Sequence, residues 1–289
     1  MTVEESPVAG AIDADHLAAQ YRTDGYCVAD RALDAREVKA LIDETMRLCR
    51  EEAAKLTGAE AAKGDATDMA RFLAIHFPHK LSALMRRMLA HPRIIEVLTR
   101  AIGPNVKCMQ SMLFIKHAGK PGQAWHQDED FIPTRDRSLG AAWIALDDAT
   151  IDNGCLWVIP GSHRPGVLWP LRRHTDPEYD SIPQSYDFPY DEDEAAPVEV
   201  AAGSIVFFHG YLLHKSLKNR RTSGFRRALV NHYMSAESLL PWWRPNGPIP
   251  PTQDNRDIVL VAGVDPYAWK GIEDTNQPYV RRETADPAA

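Results

Sequence analysis

The chain has 289 residues, of which 44% are hydrophobic and 25% are charged, and this composition is that of an ordinary folded protein. Its formal net charge is −7, from 33 Lys and Arg against 40 Asp and Glu, and no block of basic residues stands out. Because basic side chains that displace counterions drive most binding to nucleic acid, we set nucleic acid aside as a partner.

No stretch of the sequence has the features of a membrane or export segment. There is no run of about 18 apolar residues, and the acidic N-terminus lacks the basic start and apolar centre of a secretory signal. We therefore expect no membrane partner and a cytoplasmic location. The sequence does not determine the oligomeric state. Four widely spaced cysteines form no C-x-x-C motif and are expected to be reduced and mostly buried: Cys27, Cys49, Cys108 and Cys155.

The first third of the chain has helical patterns. Asp34 and Glu37 form a D-x-x-E capping box, and the apolar residues that follow recur on one face, which predicts a helix over about 35–53. Two further helices are predicted at 79–89 and 91–103, and together these segments give a helical part over about 13–103.

From Asn105 onward the sequence changes to short β-rich runs such as "AAWIALDD" and "SIVFFHG", separated by proline-glycine and asparagine-glycine turns. These runs predict an antiparallel barrel or sandwich of about six strands or more, over about 105–236. No internal repeat is visible, so a single domain over 1–289 is the simplest organisation.

An irregular insertion is predicted at about 165–197, where six prolines and the acidic run "DEDE" at 191–194 are incompatible with a central strand. It is either a solvated surface excursion or a lid over a pocket. A C-terminal tail over about 238–289 begins with another irregular segment, whose paired tryptophans are expected to pack at the edge of the core.

The stretch "AWHQDED" suggests a metal site. Side chains two apart on a strand share a face, so His126 and Asp128 are expected to point an imidazole nitrogen and a carboxylate oxygen toward one place. His214, in "FFHGYLLHKS", is the best third ligand. Two histidines and a carboxylate are the ligands of non-heme iron(II) oxygenases, and they leave three coordination positions open. An isolated H-x-D is weak evidence, and a zinc hydrolase is also compatible with these ligands.

A possible carboxylate clamp follows His214. Arg226 or Arg227 begins the next strand, and a guanidinium suits bidentate contact with a carboxylate. If the strand 226–234 lies beside 211–217, this guanidinium lies deep in the barrel beyond the metal. Ser216 shares the face of His214 and offers a hydroxyl to the same carboxylate.

Two acids follow Asp128 in the sequence. By strand alternation Asp130 shares its face and either meets the substrate at the barrel mouth or is merely solvated, whereas Glu129 faces away. Four other histidines are expected to be structural: His117, His163, His174 and His209.

Six segments, in this order, resemble the phytanoyl-CoA dioxygenase family of iron(II)- and 2-oxoglutarate-dependent oxygenases. They are "DGYCVAD", "QSMLFIK", "WHQD", "AAWIALDDATIDNGCLWVIPGSH", "FFHGYLLHKS" and "GFRRA", within roughly residues 15–238. The resemblance implies an α+β protein with a mainly β core. That core would be a double-stranded β-helix, a jelly-roll or cupin-like barrel, flanked by the N-terminal helices.

The resemblance also implies the site. Iron(II) would be held by His126, Asp128 and His214, and the 5-carboxylate of the cosubstrate 2-oxoglutarate by Arg226 and Ser216. The "GFR" match favours Arg226 over Arg227, although the spacing from His214 is one residue longer than in the founding members. Trp143, Gln110 and Met112 match residues that line or face the cosubstrate pocket.

The implied activity uses O2 and 2-oxoglutarate to hydroxylate or otherwise oxidise an unactivated C–H bond of a small molecule, with formation of succinate and CO2. An aspartate at position 128 disfavours halogenation, because the related halogenases leave that position empty for chloride. The rival hypothesis from another class is a non-catalytic cupin-type protein that binds a metal or small molecule.

The substrate is not identified by the sequence. Only the segments 171–174 and 218–221 are basic enough to be candidates for binding the phosphate of coenzyme A. The net acidity of the chain and the "DEDE" run favour a neutral or cationic small molecule.

Overall fold

Two antiparallel β-sheets face each other around an apolar interior, and helices pack on the outer face of the larger sheet. The computed structural model describes residues 12–52, 72–241 and 254–282. This architecture confirms the predicted mainly β core of jelly-roll type with flanking helices. The helices are α1 (Ala14–Asp24), α2 (Ala35–Arg47), a π-helical turn that continues α2 (Leu48–Glu52), α3 (Ala83–Met88) and α4 (Pro92–Ala101).

The strands are numbered in chain order. They are β1 (Tyr26–Ala29), β2 (Phe72–His76), β3 (Val106–His117), β4 (Gln123–His126), β5 (Gly140–Ala145), β6 (Leu156–Val158), β7 (Leu171–Arg172), β8 (Gln184–Ser185), β9 (Ala196–Val198), β10 (Ile205–His209), β11 (His214–Ser216), β12 (Phe225–Ser235), β13 (Val259–Ala262) and β14 (Tyr279–Arg282). The larger sheet has the order β1-β10-β5-β12-β3-β2-β14, and β13 also pairs with β3. The smaller sheet has the order β4-β11-β6-β9, and β7 pairs with β8 alone.

Helix α2 begins as the sequence predicts. The Asp34 carboxylate accepts hydrogen bonds from the backbone N–H groups of Arg36 and Glu37 at 2.8 and 2.9 Å, and the Glu37 carboxylate accepts the Asp34 N–H at 2.8 Å. This capping box satisfies N–H groups that have no partner within the helix. Its apolar residues, including Leu41, then pack against the larger sheet.

The two faces of the larger sheet have different partners. On β12, Leu229 and Tyr233 belong to the core beneath the helices, whereas Ala228 and Val230 face the interior between the sheets. Because side chains alternate along a strand, every second residue of β3, β5 and β12 is directed into that interior. The candidate site lies there.

A glycine lets the chain approach closely beside the smaller sheet. A Cβ atom on Gly122 would lie 1.9 Å from the carbonyl oxygen of Ser216, so no other residue fits without moving the backbone. Gly122 directly precedes β4, and Ser216 lies in the neighbouring strand β11. The contact helps to set the spacing of the two strands that carry the predicted histidine ligands.

The terminal parts contribute more to the sheet than the sequence predicted. The part expected to be helical also supplies β1 and β2, and the C-terminal tail supplies β13 and β14. These strands are only four or five residues long, and pairing with longer strands stabilises what the local sequence specifies weakly. Residue 53 of the predicted helix and the paired tryptophans at 242 and 243 lie outside the described residues.

One further expectation concerns the cysteines. All four cysteines are buried and free, as expected. Among the helices of the described residues, none combines the length and the apolar character needed to cross a membrane.

Candidate metal centre and cosubstrate cavity

The three predicted metal ligands lie together between the sheets. His126 ends β4 and His214 begins β11, and the two residues face each other in the antiparallel register, with ring centres 4.1 Å apart. The Asp128 Oδ1 atom lies 3.7 Å from Nε2 of His126 and 3.6 Å from Nε2 of His214. One ligand atom from each residue therefore falls within 4.8 Å of the others, close enough to hold one ion.

Local hydrogen bonds fix the direction of both imidazoles. The Nδ1 atom of His126 donates to the backbone carbonyl of Ala124 at 2.8 Å, and Nδ1 of His214 donates to that of Leu212 at 3.0 Å. A carbonyl can only accept, so the hydrogen is assigned to Nδ1 and the lone pair to Nε2. Metal-binding histidines are commonly oriented in this way.

The ionisation of the site also suits a metal. Burial, followed by the proximity of His214, lowers the pKa of His126 to about 4. Burial by itself would raise the pKa of Asp128, but His214, His232 and His126 outweigh this effect and hold it below its usual range. At neutral pH the site thus presents a neutral imidazole at His126 and an ionised carboxylate at Asp128, which are the forms that bind metals. Two imidazoles and one carboxylate fit iron(II).

The chain changes conformation at Asp128. Strand β4 ends at His126, but Gln127 is still extended (φ −125°, ψ 127°), so Asp128 lies on the same side as His126. The Gln127 amide donates to the carbonyls of Val167 and Tyr211 at 3.0 and 2.8 Å, which holds this segment in place.

Strand alternation does not extend to the two acids that follow. Asp128–Asp130 form a 3-10 turn, and Asp130 is not among the residues that line the cavity. The expectation that Asp130 shares the face of the ligands is therefore wrong, because the chain is no longer extended. Glu129 is buried away from the cavity and accepts hydrogen bonds from the backbone N–H and hydroxyl of Thr134, both at 2.6 Å. Burial raises the pKa of Glu129 to about 7.

His232 is a residue of the site that the sequence analysis missed. Its Nε2 atom lies 3.1 Å from Oδ2 of Asp128 and donates to it, because an ionised carboxylate only accepts. The contact holds one carboxylate oxygen and leaves Oδ1 directed at the two histidines. Strand alternation could have found it, since Arg226 and His232 are an even number of residues apart on β12.

We expect His232→Leu to weaken metal binding about 10- to 100-fold, the usual effect of losing a hydrogen-bond partner of a metal ligand. His232→Gln places an amide donor near the same position and should recover most of the affinity. Anaerobic titration calorimetry with iron(II) measures both variants. Equal affinities for the wild type and His232→Leu would contradict a positioning role.

A cavity of about 340 Å³ extends from the three candidate metal ligands along the inner face of the larger sheet. Its volume is typical of a small-molecule site. All of the predicted cosubstrate residues line it: Arg226, Ser216, Trp143, Gln110 and Met112.

Arg226 is a buried cation within this cavity. The residue is only 3% exposed, its Cζ atom lies 5.4 Å from the centre of the Trp143 ring, and its buried Nε atom has no hydrogen-bond partner among the residues that the structure describes. Within the described ranges it forms no ion pair with a carboxylate. Burial lowers its pKa to about 10, so it remains charged at neutral pH.

The strand that carries Arg226 does not lie beside β11, so the condition stated for its depth in the barrel is not met. Strand β12 pairs with β3 and β5 in the larger sheet, whereas β11 pairs with β4 and β6 in the smaller one. The guanidinium therefore faces the metal ligands across the interior instead of from a neighbouring strand. Hydrophobic patterns alone do not specify which strands pair.

Arg227 is directed to the opposite face of β12. Its Nε and one terminal nitrogen donate to the two carboxylate oxygens of Asp147 at 2.8 and 2.6 Å. This bidentate ion pair occupies its guanidinium outside the cavity lining. Of the two candidate arginines, Arg226 is the one that enters the cavity.

Ser216 is arranged to donate a hydrogen bond. Its Oγ atom accepts from Nζ of Lys116 at 3.0 Å and from the backbone N–H of Gln123 at 3.2 Å. Since these contacts use the acceptor capacity of the oxygen, the hydroxyl hydrogen is left for a ligand in the cavity. Lys116, also missed from the sequence, is buried opposite Arg226 in the sheet and additionally donates to the Leu217 carbonyl at 2.6 Å.

The four histidines expected to be structural do not line the cavity. Each has a local partner, as that interpretation requires. The contacts are His117 Nδ1 with the Ala118 carbonyl, His163 Nε2 with the Arg22 carbonyl, His174 Nε2 with the Ile182 carbonyl, and His209 Nδ1 with the Tyr211 N–H.

Known structures share this architecture. The non-heme monooxygenase ThoJ in its apo form superposes with a TM-score of 0.65 at 23% identity, covering 93% of this chain and 89% of ThoJ. EvdO2 from Micromonospora carbonacea var. aurantiaca, complexed with 2-oxoglutarate, gives a TM-score of 0.63 at 24% identity, covering 86% of this chain and 99% of EvdO2. At these identities the similarity concerns the fold.

Sequence comparison gives the family. "Phytanoyl-CoA dioxygenase 1" of Oryza sativa subsp. japonica is 33% identical over 175 residues, which are 59% of this chain and 59% of the rice protein. The match spans 47% to 62% of the length of the first three curated relatives. The family model "Phytanoyl-CoA dioxygenase (PhyH)" matches residues 21–228, a segment that includes the three metal-ligand candidates and Arg226. The chain therefore belongs to the phytanoyl-CoA dioxygenase family, as its sequence motifs indicated.

Proposed function

We propose that the protein is an iron(II)- and 2-oxoglutarate-dependent dioxygenase. It hydroxylates, or otherwise oxidises, an unactivated C–H bond of a small-molecule substrate, with formation of succinate and CO2. The observation that carries the proposal is Arg226, a buried guanidinium that shares a cavity with the His126, Asp128 and His214 side chains. A buried cation without a carboxylate partner is costly, and an anionic cosubstrate would compensate it.

His126, Asp128 and His214 would hold the metal on one side and leave positions for 2-oxoglutarate and O2. Iron(II) with 2-oxoglutarate supplies the oxidising chemistry, and the protein supplies orientation and an enclosed environment. The ionised Asp128 would offset part of the charge of the metal. His232 keeps Oδ2 of Asp128 occupied, which leaves Oδ1 available to the metal.

Arg226 and Ser216 would bind the carboxylate of 2-oxoglutarate that lies farther from the metal. The guanidinium offers two parallel N–H groups, and the Ser216 hydroxyl offers a third donor. The Trp143 ring packs against the guanidinium and restricts its orientation. Preorganised donors of this kind reduce the entropy lost when the cosubstrate binds.

Apolar side chains form most of the remaining wall. Phe208, Val230 and Leu156 lie between the two sheets and, with Met112, give the space beside the candidate metal ligands an apolar lining. Apolar surroundings strengthen the contact between Arg226 and a carboxylate.

The structure gives little support to the zinc hydrolase hypothesis. A hydrolase needs a general base close to the metal-bound water. Neither Glu129 nor Asp130, the two acids nearest in sequence that could take that role, lines the cavity. A zinc hydrolase also has no use for the buried guanidinium of Arg226.

A spectroscopic measurement distinguishes the oxygenase from a non-catalytic metal binder. We expect a weak visible absorption band when protein, iron(II) and 2-oxoglutarate are mixed without oxygen, because the keto acid binds directly to the metal. Protein with iron(II) and succinate serves as the control. A band that does not form, although calorimetry shows iron(II) bound, would favour the metal-binding protein.

We further propose that the substrate is a small molecule without coenzyme A. Lys218 and Arg220, in one of the two basic segments, both contact the Glu178 carboxylate, at 3.7 and 2.6 Å. In the other segment, the Arg172 guanidinium lies 5.1 Å from the centre of the Tyr186 ring. Succinate formation coupled to loss of a candidate substrate tests this, with free acids and their coenzyme A thioesters compared side by side.

A further inference from the structure

The C-terminal strand β14 forms part of the cavity wall. It pairs with β2, with Tyr279 opposite His76 and Arg281 opposite Ala74. Alternation places Tyr279, Arg281 and His76 on one face, and all three line the cavity. The family match ends at residue 228, so Tyr279 and Arg281 lie outside the part of the chain that the family model describes.

His76 offers hydrogen-bonding groups that the protein does not use. The residue is 6% exposed, and neither ring nitrogen has a partner in the part of the chain that the structure describes. Its ring stacks on Tyr279, with centres 4.1 Å apart and planes inclined by 12°. Burial and then the nearby Arg281 lower the pKa of His76 to about 3, so the ring is neutral and has one donor and one acceptor. Buried polar groups nearly always have partners, so both ring nitrogens are available to a ligand in the cavity.

Arg281 has N–H donors that its ion pair does not use. One terminal nitrogen donates to Oδ2 of Asp180 at 2.5 Å, while Nε is buried and lacks a partner among the described residues. A guanidinium has five N–H groups, so this single ion pair leaves most of them available. Asp180 belongs to the insertion, and its other oxygen accepts the N–H of Ile182 at 3.0 Å.

His76 and Arg281 are diagonal neighbours across the β2–β14 pair. Such positions are about 7–8 Å apart, within reach of long side chains. The Arg281 guanidinium is close enough to lower the pKa of the His76 ring, so the two side chains lie near one another. Two donors that converge on one part of the wall favour an acceptor group, and the positive charge favours an anion.

We propose that His76 and Arg281 form an anion subsite that binds a carboxylate of the substrate, which makes the substrate a small organic acid. The proposal rests on the proposed oxygenase function and specifies its substrate class. The apolar body of the acid would lie against Phe114, Ile182 and Tyr279, which line the same cavity. The other end would then extend toward the metal ligands.

This subsite reverses the expectation of a neutral or cationic substrate. That expectation drew on the "DEDE" run, but no residue of 191–194 lines the cavity. The insertion itself is more than a surface excursion, because Ile182 lines the cavity and Asp180 contacts β14. On the β14 wall, the charged side chain that lines the cavity is Arg281, whose partner Asp180 is not among the lining residues.

The test uses three acids that differ in size and shape, benzoate, 3-phenylpropanoate and octanoate, each against its primary amide. Calorimetry measures binding to the full chain loaded with zinc(II), which is redox-inert, and saturating 2-oxoglutarate. We expect at least one acid to bind about 10- to 100-fold more tightly than its amide, as for a charge-assisted contact. If every acid binds no better than its amide, the subsite is wrong.

Two substitutions in one ion pair give opposite expected results. Arg281→Gln should remove the preference for the acid over the amide. Asp180→Asn keeps an acceptor for the Ile182 N–H but removes the charge that competes for Arg281, so the acid should bind more tightly. A merely structural contact between the insertion and β14 would be weakened by both changes. Weaker acid binding in both variants therefore overturns the proposal.

Two controls separate this proposal from the proposed function. His76→Phe preserves stacking on Tyr279 but loses both nitrogens, and it should weaken acid binding without changing the affinity for 2-oxoglutarate. The titrations are repeated without metal and 2-oxoglutarate. If the protein prefers acids but binds no 2-oxoglutarate, the anion subsite is supported and the proposed oxygenase function is contradicted. Normal 2-oxoglutarate binding without that preference would contradict the subsite alone.

Discussion

Asp128→Ala is expected to abolish substrate-dependent formation of succinate. The change removes the only carboxylate of the His126, Asp128 and His214 group and leaves the donor of His232 without its partner. Loss of a hydrogen-bond partner of a metal ligand can weaken metal binding by roughly 100-fold. Loss of a ligand itself should weaken it by at least as much. Calorimetry with iron(II), and succinate measured after addition of oxygen, give the two readouts.

Asp130→Asn is the matched control for this experiment. Asp130 lies two residues further along, on the same 3-10 turn, and does not line the cavity. We expect the loss of the Asp130 charge in this variant to leave iron(II) affinity and turnover nearly unchanged. Undiminished oxidation by Asp128→Ala would contradict the metal assignment, whatever the control shows.

Arg226→Ala is expected to weaken 2-oxoglutarate binding with little effect on iron(II). A hydrogen bond to a charged group contributes about 1.5–3 kcal/mol, which corresponds to about a 10- to 150-fold increase in the dissociation constant. The guanidinium lies across the interior from the metal ligands, so their geometry should persist. Arg226→Lys keeps the charge but loses the planar pair of donors, and should fall between alanine and the wild type.

The adjacent arginine provides the control. Arg227→Ala removes an equal charge one residue away, but that guanidinium is bound to Asp147 outside the cavity. We expect unchanged 2-oxoglutarate affinity and a loss of stability, measured by chemical denaturation. If Arg227→Ala weakens 2-oxoglutarate binding as much as Arg226→Ala does, the cosubstrate does not bind at Arg226.

The sequence by itself determined the features that depend on neighbouring residues. The capping box of Asp34 and Glu37 and the pairing of His126 with Asp128 follow from backbone geometry within a few residues, and the structure contains both. The family motifs added His214 and Arg226 to the candidate site, because an ordered set of short segments identifies a shared fold. The fold class, and the convergence of the three candidate metal ligands, were therefore predictable.

The tertiary structure decided which distant strands meet. Strand β12 lies in the sheet opposite β11, so Arg226 reaches the site across the interior. His232, also on β12, contacts Asp128. Strand β14 brings Arg281 beside His76 from the far end of the chain. Local periodicity assigns a residue to a face of its strand. The partner of that strand depends on packing over the whole core, which no short segment encodes.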